Sequence, residues 1–180
     1  MTAPIRKLSV EDRLDIQELF AKYAWGIDLA DPDLVVQCFT EDAYYDHLWQ
    51  GRVQGHEAIL RNLHALWYDR QSWWFGRQHL FNHFLITPEA TPTGEPGARV
   101  KTFFQILQYN VDYNTNFVFG IGTRNDLVVK RNGVWLFHHL QVNGWTSRDQ
   151  VPWKGEITMK ARPTAPAAPP VPPEFGKRTS

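Results

Sequence analysis

Four runs between residues 78 and 145 decide the fold: QHLFNHFLIT (78–87), RVKTFFQILQYNVDY (99–113), TNFVFGIGTRNDLVVK (115–130) and VWLFHHLQVNGW (134–145). Each is rich in β-branched and aromatic residues, which suit a pleated, half-buried surface. Turn chemistry separates them, in the stretch Thr91-Pro92-Thr93-Gly94-Glu95-Pro96-Gly97 and at Arg131-Asn132-Gly133. This pattern predicts four long antiparallel strands in a meander, with His79, Phe81, His83 and Leu85 alternating onto one face of the first.

Upstream the period changes from two to nearly four. Ser9 and Asp12 form a capping box with Asp in the third position, and Ile16, Leu19, Phe20, Tyr23, Ala24 and Ile27 then recur on one apolar face. A first helix is expected to run to about Leu29. Asp31 and Pro32 signal a second start, with Leu34, Val35, Cys38 and Phe39 as the buried side of a short helix. Ala43 to Trp49 reads as a strand that turns at Gln50-Gly51 and returns through Arg52 and Val53. After Gly55 a third helix is marked by Ala58, Ile59, Leu63, Leu66 and Trp67, ending before Trp73, Trp74 and Phe75. Helices first and long strands after predict an α+β fold: a cone-shaped, curved antiparallel sheet, an α+β barrel, with three N-terminal helices on its concave face. One domain is expected over 1–150, followed by an extended tail over 151–180 that is rich in Pro and Ala.

Composition narrows the function classes. The chain has as many Asp and Glu as Lys and Arg, 19 of each, and the basic residues are scattered. Neither nucleic acid nor a lipid surface is expected as partner, since both demand a clustered basic face. No apolar run is long enough for a membrane span, and MTAPIRKLSVEDR is not a signal peptide, so a cytoplasmic protein is expected. A single cysteine, Cys38, excludes an internal disulfide. Aromatic residues reach 14%, including 8 Trp, a density that suits a pocket for a hydrophobic or aromatic small molecule.

Seven histidines raise the question of a metal. On a strand, His79 and His83 stand four steps or roughly 13 Å apart, too far to share one ion, and the neighbours His138 and His139 point to opposite faces. No metal and no cofactor is expected. Gly120-Ile121-Gly122 lies between strand-like runs with no helix after it, so it is not a phosphate loop, and no nucleophile elbow occurs.

The order of these elements and their marker residues resembles the SnoaL-like branch of the nuclear transport factor 2-like superfamily, over roughly residues 9–147. The carriers are Asp15-Ile16-Gln17-Glu18-Leu19-Phe20 with Tyr23 and Asp28, then Asp31-Pro32-Asp33, and Phe39-Thr40-Glu41-Asp42-Ala43. Gly51, Gly55-His56-Glu57-Ala58-Ile59, His79 and Arg131-Asn132-Gly133-Val134-Trp135 complete the series. Within that branch Tyr23, Asp28 and His79 look most like the scytalone dehydratase, bile-acid dehydratase and hexachlorocyclohexane dehydrochlorinase lyases. The resemblance implies His79 as base, Asp28 as its orienting partner, and Tyr23 and Tyr45 as hydroxyl donors.

It further implies a cofactor-free elimination of water, or loss of formaldehyde, from a hydrophobic aromatic substrate, and a homotrimer, with a homodimer as the alternative. Trp25, Trp49, Trp67 and Phe104 are the candidate pocket walls. One departure stands out. The second catalytic His of scytalone dehydratase, or Asp of the bile-acid dehydratase, lies on a strand that here reads Thr102-Phe103-Phe104-Gln105-Ile106, so a tyrosine or Asn82 is left to assist the leaving group. Two other readings follow from the same resemblance: an isomerase or cyclase acting on a polyketide or steroid, and a binding or assembly subunit similar to the dioxygenase small subunit.

Overall fold

The computed structural model describes residues 7–47, 50–68, 76–91 and 93–154. Helix α1 spans Val10–Leu29. Its start is closed as expected: the Asp12 amide donates to Ser9 Oγ and the Ser9 amide to Asp12 Oδ2, both at 3.0 Å. Asp12 also accepts from Lys130 Nζ at 2.8 Å and Trp135 Nε1 at 3.0 Å, which ties the helix to the far end of the sheet. Lys130, more than any other partner, holds its carboxyl well below the usual carboxylate range. Ile16, Leu19, Phe20, Tyr23 and Ile27 form the buried stripe, each such side chain contributing about 1.5–3 kcal/mol when fully removed from water.

The helix ends where Ala30 turns left-handed, and Asp31 caps α2, Pro32–Val36, by accepting from the Leu34 amide at 3.0 Å. The two helices approach closely at Gly26, where an added Cβ would lie 2.7 Å from Val35 Cγ2. α2 is shorter than its apolar pattern suggests. Phe39 is already strand, because the Phe137 amide donates to the Cys38 carbonyl at 2.8 Å and draws the chain into the sheet. Strand β1, Phe39–His47, pairs with β2, Gly51–Gln54, in the expected hairpin. Helix α3 then covers His56–Tyr68. Trp49, Trp73, Trp74, Phe75 and the tail beyond 154 lie outside the described residues.

The meander is present as β3 Arg77–Ala90, β4 Pro96–Asn110, β5 Thr115–Arg131 and β6 Val134–Gly144. Asn132 and Gly133 both take positive φ, 50° and 82°, the backbone that a tight β5–β6 turn requires. Between β4 and β5 a four-residue turn replaces the expected continuation of the strand to 113. Asn110 Oδ1 accepts from the amides of Asp112 and Tyr113 and so competes with the ladder.

The strand order is β2-β1-β6-β5-β4-β3, and β1 runs parallel to β6. The sheet is therefore mixed, not wholly antiparallel, and it does not close into a barrel, since β2 and β3 remain edges. α3 carries the chain from one edge to the other, so that the meander ends beside the strand that began the sheet. α1 packs on β3 and β6, and α3 on β1 and β2.

A second departure reshapes the site. β3 carries a bulge between Asn82 and Leu85, with His83 at φ 55°. One extra residue inverts the alternation beyond it. His79 and Phe81 face inward as expected, but His83 and Leu85 turn out to solvent, and Phe84 and Ile86 take the inner positions.

Candidate active site

Asp28 lies on the last turn of α1, where the helix dipole disfavours a negative charge by about 0.3–1 kcal/mol. Its compensation comes from β3. His79 donates its backbone N–H to Asp28 Oδ2 at 2.7 Å, and its ring Nδ1 meets Oδ1 at 2.5 Å. Both side chains are mostly withdrawn from solvent, 18% exposed for His79 and 13% for Asp28. With Nδ1 engaged by the carboxylate, Nε2 is the ring nitrogen left for the cavity that His79 lines.

That cavity measures about 170 Å³ and lies between α1, α3 and the inner face of the sheet. A cavity of about 150 Å³ accommodates one benzene, so a single ring fits inside and a larger ligand extends through the mouth. Ile27, Leu63, Trp67, Phe81, Phe104 and Ile106 supply apolar wall. Tyr23 and Tyr45 enter from α1 and β1 with their hydroxyls within hydrogen-bonding reach of each other, and burial is the main cause that raises both above the ordinary phenol range. Both phenols therefore keep their protons at neutral pH.

Three cavity groups were not singled out from the sequence. His47, at the end of β1, stacks on Tyr45 with ring centroids 5.9 Å apart. Burial, then the positive fields of His79 and Arg77, push its imidazole down to about 4, so it is neutral at pH 7. Arg124, on β5, is 2% exposed and sits among the rings of Phe20, Tyr23, Phe81 and Phe137, its guanidinium carbon 4.7–5.0 Å from their centroids. Arg77, on β3, also lines the cavity and is engaged by Gln108 Oε1 at 3.0 Å.

A SnoaL-like domain model matches residues 8–141. The chain belongs to the SnoaL-like family. Its fold is shared with solved structures of low sequence identity. A protein of unknown function with a cystatin-like fold from Nostoc punctiforme is 22% identical, with TM-score 0.66 over 79% of this chain and 97% of that one. A protein assigned as a scytalone dehydratase from Novosphingobium aromaticivorans is 18% identical, TM-score 0.60, over 75% and 85%. A hexachlorocyclohexane dehydrochlorinase, LinA type 2, is 16% identical, TM-score 0.61, over 75% and 86%. No curated protein matches the chain.

In this SnoaL-like protein Tyr23, Tyr45, His79, Trp67 and Phe104 come together at one cavity, with Asp28 behind His79. Two candidates do not. Trp25 is 65% exposed, because it lies on the solvent side of α1, two residues from the buried Tyr23. Asn82 alternates away from Phe81 and lies in an outer groove beside His83, whose Nδ1 it meets at 2.6 Å. Cys38 is no nucleophile: it is buried, its Sγ donates to the Leu34 carbonyl, and burial pushes its thiol up to about 12. Among the described residues no three His, Cys, Asp or Glu side chains converge as metal ligands, and no helix is long and apolar enough to cross a membrane.

Proposed function

We propose that this SnoaL-like protein is a cofactor-independent acid–base lyase that removes water from a small, hydrophobic, aromatic substrate. The observation that carries this reading is the two-point clamp of Asp28 on His79 at the rim of an apolar cavity. Imidazole has the basicity to take a proton from an activated carbon near neutral pH. The carboxylate fixes its tautomer and stabilises the imidazolium that forms. In the step envisaged, His79 Nε2 takes a proton from carbon next to a carbonyl, and the electron pair moves onto the carbonyl oxygen as an enolate. The enolate then reforms the carbonyl, the adjacent carbon–oxygen bond breaks, and the departing hydroxide takes the proton from the imidazolium as water.

A second outcome is favoured by one observation. The β4 wall offers Phe104 and Ile106 to the cavity and no acid. Loss of formaldehyde needs less acid assistance: a hydroxymethyl O–H gives its proton to the base, the carbon–carbon bond breaks, and the electron pair left on the ring-bearing carbon takes the proton back from the imidazolium. The contact between Asp28 and His79 and the open cavity beside it support an enzyme over a non-catalytic assembly subunit.

The test is product mass on hydroxylated aromatic substrates, for wild type, His79→Ala and Asp28→Asn. Dehydration shows as loss of one water and the alternative as loss of one formaldehyde, while a product of unchanged mass indicates isomerisation or cyclisation. Turnover unaffected by either substitution rules out the dyad.

A further inference from the structure

The cavity is one-sided in its polarity. The ionisable groups that face it are Tyr23, Tyr45, His47, Arg77, His79 and Arg124, and no Asp or Glu lines it among the described residues. The carboxylate nearest Arg124 is Asp126, fully buried behind it, with Oδ2 2.8 Å from Arg124 Nη2. That ion pair engages Nη2 alone, and Arg124 Nε is left without an acceptor among the described residues. Burial raises the Asp126 carboxyl above its ordinary value, and the Arg124 cation beside it opposes that shift. Trp145, also on the cavity wall, has its own Nε1 buried without an acceptor among the described residues.

Buried donors without acceptors are rare in folded proteins, and each needs a cause. A guanidinium offers five N–H groups and no acceptor, and leaving buried donors unmade is costly. Here two side chains with unmade donors converge on a cavity already rich in donors and free of acids. Four aromatic faces around the guanidinium hold it in place without using its N–H groups. Such a chamber is complementary to a ligand that is flat, apolar and negatively charged at one oxygen.

Resting on the lyase reading above, we propose that Arg124 forms an oxyanion subsite, which selects aromatic substrates carrying a phenolic or enolisable oxygen and binds that oxygen as its anion. The same contact stabilises the enolate oxygen as charge develops on it. Arg124 thus supplies by charge what the β4 strand of this chain does not supply by acid. Specificity follows: a neutral hydrocarbon of the same shape leaves the donors unmade and binds more weakly.

The experiment uses the full chain and a nitrophenol, whose absorbance changes on ionisation, titrated at a pH just below its solution pKa. Binding to wild type is expected to lower the apparent pKa of the phenol by one unit or more, tenfold in acidity. Arg124→Met is expected to abolish that shift and Arg124→Lys to retain part of it. Asp126→Asn removes the carboxylate paired with the guanidinium and is expected to enlarge the shift, an effect that loss of a merely structural ion pair does not produce.

His79→Ala separates the two readings. It is expected to lose turnover while keeping the spectral shift, so failure of the dyad leaves the subsite standing. If the shift disappears in His79→Ala and survives in Arg124→Met, the dyad is the proton acceptor and the subsite proposal is overturned. Should Arg124→Met not fold, a series of phenols of graded acidity decides with wild type alone. Affinity that rises with the ionised fraction supports the proposal, and affinity that follows ring area alone overturns it.

Discussion

Asp28 holds both the ring and the backbone amide of His79, with Oδ1 2.5 Å from Nδ1 and Oδ2 2.7 Å from the main-chain nitrogen. The carboxylate therefore fixes the position of the strand as well as the tautomer of the ring, and it sits at the negative end of α1, where these two contacts compensate it.

Asp28→Asn tests this directly. A carboxamide presents one acceptor and one donor, so it cannot accept from the His79 ring and the His79 amide through both of its atoms. Turnover is expected to fall about 10²–10⁴-fold with little change in KM, because the apolar walls that bind the substrate stay in place. Steady-state kinetics on the substrate that the mass panel identifies checks the split.

His47 predicts the acid limb of stability. Its folded value is lowered from 6.5 to about 4, by burial first and then by the positive fields of His79 and Arg77. The unfolded chain binds this proton more readily, so the stabilisation is complete above pH 6.5 and is lost as pH falls toward 4. The contribution is of order 3 kcal/mol. The depressed carboxyls act lower, since Asp42, held mainly by Arg131, falls from 3.8 to about 2. Urea midpoints measured across pH 7 to 4 are expected to decline for wild type and to flatten in His47→Gln.

Much of this architecture was legible in local patterning, and the failures share a cause. The capping box at Ser9 and Asp12, the restart at Asp31-Pro32 and the Asn132-Gly133 turn each depend on neighbours in sequence, and each appears where its signal stands. The parallel β1–β6 pair, the early exit of α2 at Phe39 and the bulge at His83 depend on partners 50 or more residues away or on a one-residue slip that no propensity marks. The trio Tyr23, Asp28 and His79 was readable as a family pattern. Arg124 was not, because Thr123-Arg124-Asn125-Asp126 reads like a solvated strand segment; the usable clue was Arg and Asp two apart, which places opposite charges on one face.

Gly120 and Gly122 separate pocket size from folding. A Cβ on Gly120 would meet only Ile106 Cδ1, at 3.9 Å, so it fits the backbone and projects beside the cavity that Gly120 lines. Gly120→Val is expected to raise KM for ring substrates at least tenfold with the melting temperature nearly unchanged. A Cβ on Gly122 would collide with the Asn143 carbonyl oxygen and come within 2.6 Å of Phe104. Gly122→Ala is expected to cost about 1–3 kcal/mol, seen as a lower urea midpoint at an unchanged slope.

Trp67 couples the apolar wall to the dyad. Its Nε1 donates to the Ile27 carbonyl at 2.7 Å, satisfying one of the acceptors that a helix leaves open at its C-terminal end, one residue before Asp28. Trp67→Phe keeps an aromatic face toward the cavity while removing that donor and the part of the indole that carries it. The stranded carbonyl is expected to cost about 1–2 kcal/mol, and the loosened last turn of α1 to lower kcat several-fold. If the indole serves the substrate alone, KM rises instead while kcat and the melting temperature hold. Calorimetry and kinetics on the one variant therefore discriminate a wall from an anchor.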